Sequence, residues 1–243
     1  MFAMSWQRPR TPLFSRVLTT QTLGIVATCG ASVALASALH TQVAYSFKAT
    51  VVFAVICLIA LGHLHLHPFE RFGAANVVTT VRALLVSLVI ALVGDAPTAA
   101  MAWAAALGST GATLLDGVDG WMARREGMES DFGARYDMEI DALLILALAV
   151  LTWQNGKAGA WVVLAGAMRY LFVAAGYVWQ GMTAPLPPST RRKAVCVIQI
   201  VGLSVAVAPF IPVPLSRAIA LVTLASLTWS FGVDVLWLRR HSV

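Results

Sequence analysis

The sequence predicts an all-α integral membrane protein, a bundle of eight spanning helices, on three observations. Of the 243 residues, 59% are hydrophobic and 12% charged, about half the charged share of an ordinary soluble domain. The 17 basic and 11 acidic side chains are too few to cover a water-soluble globule of this length. The apolar residues gather in long runs of about 20 residues without alternation, the length a helix needs to cross hydrocarbon with its backbone satisfied, and not the pattern of barrel strands.

The first run, 17–38, follows arginines and contains Ala36-Ser37-Ala38, which has the small-x-small look of a cleavage site. At about 22 residues it exceeds a signal-peptide core, and a second run, 47–64, follows almost at once, so it is read as a retained helix. Between 63 and 75, His63, His65, His67, Pro68, Glu70 and Arg71 alternate with Leu and Phe. No carboxylate or cysteine set completes a metal shell there, so the stretch reads as an interfacial elbow. The third run, 77–94, is preceded by Asn76 and carries Thr79 and Arg82, three polar side chains spaced for one helix face. The fourth, 97–115, is broken by Gly108 and Gly111, small residues that permit close helix contact. Runs at 137–153, 159–179 (holding Arg169), 194–211 and 216–238 complete the set. Cys29, Cys57 and Cys196 lie in three different runs with no CxxC pair and read as buried thiols.

Charge asymmetry predicts the direction. With both termini cytoplasmic, the inner ends collect thirteen basic residues, among them Arg8, Arg10, Arg16, Arg71, Arg82, Arg124, Arg125, Arg191, Arg192, Lys193, Arg239 and Arg240. The outer side keeps three, Lys48, Lys157 and Arg217. The location expected is therefore an inner (cytoplasmic) membrane, crossed an even number of times. The net charge of +6 forms no stripe with interleaved aromatics, which excludes nucleic acid as the expected partner and favours anionic lipid headgroups.

Eight of the eleven acids fall between Asp116 and Asp141. On helices, Asp116 and Asp119 share a face at i,i+3, and Asp137 and Asp141 share another at i,i+4. Two helix ends can aim these four carboxylates into one cavity. Such a cluster is costly to desolvate without a cation, and an all-oxygen set without His or Cys suits magnesium or manganese better than zinc. Glu126, Glu129 and Asp131 read as a solvated interhelical segment, and Asp234 as a partner for Arg239 or Arg240 despite unfavourable spacing.

Asp116, Asp119, Gly120, Ala123, Arg124, Gly133, Asp137 and Asp141 match, at every fixed position, the signature of the CDP-alcohol phosphotransferases. At average residue usage, eight specified residues would coincide on the order of once in 10¹⁰ starting points. The resemblance covers about residues 70–240 and includes Asn76-x-x-Thr79-x-x-Arg82 at the opening of the first core helix. It implies a six-helix domain, 70–243, preceded by an extension, 1–69, with two transmembrane helices that the family signature does not account for. These extra helices are open to gating lipid entry, supporting a homodimer or adding packing area.

The resemblance further implies two divalent ions, Mg²⁺ or Mn²⁺, among Asp116, Asp119, Asp137 and Asp141, with Asp141 as general base. Gly120, Ala123 and Arg124 would seat the cytidine diphosphate, with Asn76, Thr79 and Arg82 reaching the same pocket; Arg82 snorkelling to headgroups is the other reading. Arg169, Arg191, Arg192 and Lys193 are weaker candidates for the acceptor, the last three serving equally well as topology-setting charge. The activity implied is transfer of a phosphatidyl group from CDP-diacylglycerol to a small hydroxyl-bearing acceptor with release of CMP. A soluble CDP-alcohol donating to a lipid is a second reading, and a metal-ion or lipid transporter a third. Acids on a transport path belong near the midplane on broken helices, whereas these cluster at one boundary beside an arginine and two small residues.

Overall fold

A computed structural model describes residues 11–184, 186–187 and 189–241. Arg8 and Arg10, counted above among the inner charges, lie outside the described residues. Among the described residues every regular element is helical: α1 (Thr11–Leu39), α2 (Val43–Gly62), α3 (Ala74–Ala91), α4 (Ala99–Glu126), α5 (Asp131–Gln154), α6 (Val163–Val178), α7 (Thr190–Val207) and α8 (Val213–His241). Short 3₁₀ turns lie at Leu64–Leu66, Ala160–Val162 and Gln180–Thr183.

Each apolar run corresponds to one helix; α1, α4, α5 and α8 continue past the ends of their runs because intrahelical hydrogen bonding does not stop where hydrophobicity does, whereas α2, α3, α6 and α7 end before theirs do. The largest extension is in α4, which continues from its alanine-rich half through Asp116 to Glu126. Five segments, Pro12–Leu39, Val43–Gly62, Ala74–Ala91, Ala160–Val178 and Val213–His241, are long and apolar enough to cross a membrane by themselves. Helices α4, α5 and α7 instead carry charge within their own length: the acids of 116–126 and 131–141, and Arg191-Arg192-Lys193. The protein is thus a multi-span, all-α membrane protein.

The chain divides into two compact units. The first comprises Met1–Leu92 and Gly111–Ile140. In it, α1, α2 and α3 pack on one another. A Cβ placed on Gly24 would come within 2.6 Å of Phe53 Cζ, so the buried ring rests directly on the α1 backbone. Two long-range polar ties close the trio: Gln21 donates to Cys57 O at 3.1 Å and Tyr45 Oη to Leu88 O at 3.0 Å. A Cβ on Gly111 would meet Leu85 at 3.5 Å, ordinary packing contact, as expected of that small residue. The faces of α1 and α2 left exposed are apolar, including Phe14, Leu18, Leu23, Val26, Phe47 and Leu58.

The second unit comprises Val93–Thr110 and Asp141–Val243. Here α7 packs along α8, with the Gly202 backbone against Thr223 and the Gly166 backbone of α6 against Leu146 of α5. Ser109 and Ser204 exchange a buried hydroxyl hydrogen bond at 2.7 Å. Lys157 donates to the carbonyls of Pro209 and Ile211, fastening the α5–α6 turn to the α7–α8 turn.

Candidate active site

The site is assembled from the start of α3, the end of α4 and the start of α5, all within the first unit. At Gly73 the chain turns from the elbow into α3 with φ of +78°, a left-handed conformation that costs glycine little. The following Ala74 N–H donates to Glu126 Oε2 at 3.2 Å, tying the first turn of α3 to the last of α4. Helix α4 ends in a Schellman arrangement. Met128 N–H bonds Ala123 O at 3.0 Å, Gly127 N–H bonds Arg124 O at 3.4 Å, and Gly127 has φ of +63°. Three residues on, Ser130 Oγ accepts from Gly133 N–H at 3.1 Å and caps α5. His67 braces this turn from the elbow, its Nε2 on Arg71 O at 2.8 Å and its ring edge-on to Phe132.

This short, doubly capped turn sets Asp137 of α5 opposite Asp116 and Asp119 of α4. Single oxygens of the three carboxylates lie within 4.8 Å of one another. Arg82 of α3, 1% exposed, runs into their midst. Its Nη2 is 2.8 Å from Asp116 Oδ1, and its Nη1 donates to Asp119 Oδ2 at 2.7 Å and also to Asp137 Oδ1. Thr79 Oγ1 lies 2.9 Å from Asp119 Oδ2 and 3.1 Å from Ala75 O, its one hydrogen serving one acceptor at a time. Asp119 is therefore the buried anchor, 6% exposed, whereas the Asp116 and Asp137 side chains are 30% and 41% exposed and present the open side of the cluster.

Three carboxylates share the one Arg82 guanidinium, so the group holds more acid than this arginine matches. A hard divalent cation on the open side would balance the excess acid and find there the oxygen ligands it prefers. The three-carboxylate group is capable of coordinating such a metal.

The other expected residues are placed as follows. Asn76 is buried, donates to Phe72 O at 2.5 Å, and its Oδ1 would lie 3.2 Å from a Cβ on Gly133. The absence of that Cβ is what lets α5 approach α3. Gly120 and Ala123 follow Asp116 and Asp119 along α4, and a Cβ on Gly120 would approach the side chain of Arg124, itself exposed, at 3.4 Å. Arg82 does not snorkel to headgroups: its side chain is buried and its guanidinium is engaged by Asp116, Asp119 and Asp137. Asp141 stands one turn beyond Asp137 on α5, in the second unit, where its Oδ2 is 3.5 Å from Cys196 Sγ. Arg169 is half-buried on α6 and Lys193 exposed on α7.

Asp234 differs from the sequence reading. Its carboxylate pairs with Arg191 at 2.5 Å and Arg192 at 3.1 Å across the α7–α8 contact, not with Arg239 or Arg240. The physical reason is helical spacing: residues five and six apart diverge around one helix, whereas the antiparallel neighbour presents its arginines directly. Arg191 is further held by Ser230 Oγ at 2.6 Å, and its guanidinium carbon lies 5.6 Å from the centroid of the Trp229 ring. Sequence reasoning also missed Glu126, Ser130 and Cys196 as site-shaping residues; of these only Ser130, a capping residue just before the acidic start of α5, left a local signal.

The family model for CDP-alcohol phosphatidyltransferase matches residues 72–231, well over half of the chain, and the chain belongs to that family. No curated protein and no solved structure matches it. Helices α1 and α2 precede the matched segment, and α3–α8 make up the six helices of the family domain. The protein is accordingly a transferase of the CDP-alcohol phosphatidyltransferase type, with a substrate of the CDP-alcohol class and a carboxylate cluster consistent with metal assistance.

Proposed function

We propose that this enzyme transfers a phosphatidyl group from CDP-diacylglycerol to a small hydroxyl-bearing acceptor in phospholipid synthesis. The observation that carries the reading is the three-carboxylate group of Asp116, Asp119 and Asp137 around Arg82, inside a segment that belongs to this family. The acceptor oxygen attacks the phosphorus that bears the diacylglycerol, a new P–O bond forms, and the P–O bond to the cytidine monophosphate breaks with its electron pair leaving on CMP. Asp141 takes the acceptor's proton. Asp116, Asp119, Asp137 and Asp141 would hold two divalent ions, Mg²⁺ or Mn²⁺, which would supply charge screening for the pyrophosphate and the leaving oxygen.

In this reading Asp116 and Asp119 are shared between metal and nucleotide, and Asp137 and Asp141 complete the ligand set. Gly120 and Ala123 leave room for the flat pyrimidine against the α4 backbone, and Arg124 offers a planar fork to phosphate oxygens. Asn76 and Thr79 hold their end of the pocket, and Arg82 fixes the geometry of the carboxylates rather than contacting the nucleotide. Arg169 and Lys193 are the acceptor-side cations; Arg191 and Arg192, tied to Asp234, shape that region. The transferase domain is 70–243 and the extension 1–69. Both termini and the carboxylates lie on the cytoplasmic side of the inner membrane, as the bias of basic residues supports.

The test is turnover by purified protein in lipid with labelled CDP-diacylglycerol, a divalent ion and a panel of alcohols, following CMP. An Asp141→Asn variant is expected to bind donor and lose about 10²–10⁴-fold in turnover, the usual contribution of a positioned base. Normal turnover by that variant would remove Asp141 as the base.

A further inference from the structure

A cavity of about 700 Å³ opens between α1, the elbow and the first turn of α3, wholly inside the first unit. Its walls bring together Arg16, Thr19 and Thr20 of α1 with Arg71 of the elbow and Val77 of α3. It is separate from the carboxylate cluster. Val77 precedes Thr79 by two residues, about 200° around the helix, so the cavity and the cluster use opposite faces of α3.

Two features give the cavity a chemical preference. Arg16 and Arg71 come from different elements, and among the described residues neither guanidinium is paired with a carboxylate. The acid in the wall, Glu126, is held by the Ala74 N–H rather than by an arginine. Two guanidinium forks suit the tetrahedral oxygens of a phosphate, while the Thr19 and Thr20 hydroxyls beside them donate to Ser15 O and Arg16 O. The second feature is apolar. Phe14 and Leu18, on the same stretch of α1, are 41% and 47% exposed, and Val77 in the wall is 41% exposed. A ligand held by its phosphate here has apolar surface on which to lay hydrocarbon.

We propose that this cavity is a binding site for the phosphate headgroup of an anionic phospholipid, formed jointly by the N-terminal extension and the family domain. It adds a ligand-mediated tie to the direct packing of α1 on α3. The site does not depend on the donor or acceptor assigned above.

The experiment uses the full chain in a non-ionic detergent, incubated with dioctanoyl phosphatidic acid or dioctanoyl phosphatidylcholine, with bound lipid counted by native mass spectrometry. Phosphatidic acid is expected to be retained in preference to phosphatidylcholine. Arg16→Gln and Arg71→Gln are each expected to lower its retention about fivefold, the scale of one basic contact at a membrane surface. Val77→Trp, which keeps both charges and fills the cavity at a partly exposed position, is expected to lower retention as well, with helicity by circular dichroism unchanged. Undiminished phosphatidic acid retention in the three folded variants, or equal retention of the two lipids, would overturn the proposal. Displacement of the lipid by inorganic phosphate at equal concentration would assign the cavity to free phosphate instead and overturn the lipid assignment.

Discussion

Arg82 governs the electrostatics of the carboxylate group. Buried and shared among Asp116, Asp119 and Asp137, it lets three acids stand within a few ångströms in a chain that elsewhere avoids acid. Arg82→Gln leaves those acids facing one another without a counter-charge, a loss on the order of 3 kcal/mol for breaking a buried ion pair. Thermal unfolding in detergent should show the variant less stable than the parent in EDTA, with part of the loss restored by Mg²⁺. A melting temperature unchanged in EDTA would contradict that role. The spacing of Asp116, Asp119 and Asp137 was legible because helical periodicity acts over three or four residues. The bond from Arg82 to them was not, since it joins positions 37 and 55 apart in sequence through tertiary packing alone. The same holds for Asp234, whose partners lie 42 and 43 residues away on α7.

At the scale of elements, the cluster depends on the turn between α4 and α5. Gly127 ends one helix and Ser130 caps the next, so only Gly127–Ser130 separate the two helices that carry the aspartates. Ser130→Ala removes the cap of α5 and should cost about 1 kcal/mol, read as a lowered melting temperature with turnover reduced less than by loss of an aspartate. Gly133→Val is expected to do the opposite. A Cβ alone there would lie 3.2 Å from Asn76 Oδ1 and 3.4 Å from Ser130 Oγ, so the branched side chain must push both aside, and turnover should fall about tenfold through displaced geometry, in line with the sensitivity of catalysis to small misplacements. A Gly133→Val enzyme with parental turnover would show that α5 need not approach α3 so closely. The sequence displayed Gly133 as a fixed position of the signature; that its neighbour is Asn76 follows only from the fold. Helix ends were the least legible feature, because α4 and α5 run on through polar residues that hydropathy assigns to the space between spans.

For the whole molecule, the scarcity of charge made the membrane legible and the eight runs made the helices legible, since lipid demands that each span satisfy its own backbone. Which helices are apolar alone and which carry the chemistry was less evident; α4, α5 and α7 hold charges that only packing within a bundle can shelter. The proposed orientation predicts that, in a background without native cysteines, Lys193→Cys is labelled by an impermeant maleimide only in inside-out vesicles and Lys157→Cys only in right-side-out ones. Labelling of both from the same side would refute the assigned direction.

The central claim, metal-assisted transfer at the three-carboxylate group, is tested most directly by CMP release from CDP-diacylglycerol in lipid. The measurement compares the parent and Asp137→Asn, each with Mg²⁺ or Mn²⁺ and with EDTA, across a panel of hydroxyl acceptors. Turnover by the parent that requires the divalent ion, and is lost in Asp137→Asn while the fold is kept, is the predicted result. Turnover that persists in EDTA, or is undiminished in Asp137→Asn, would contradict the account.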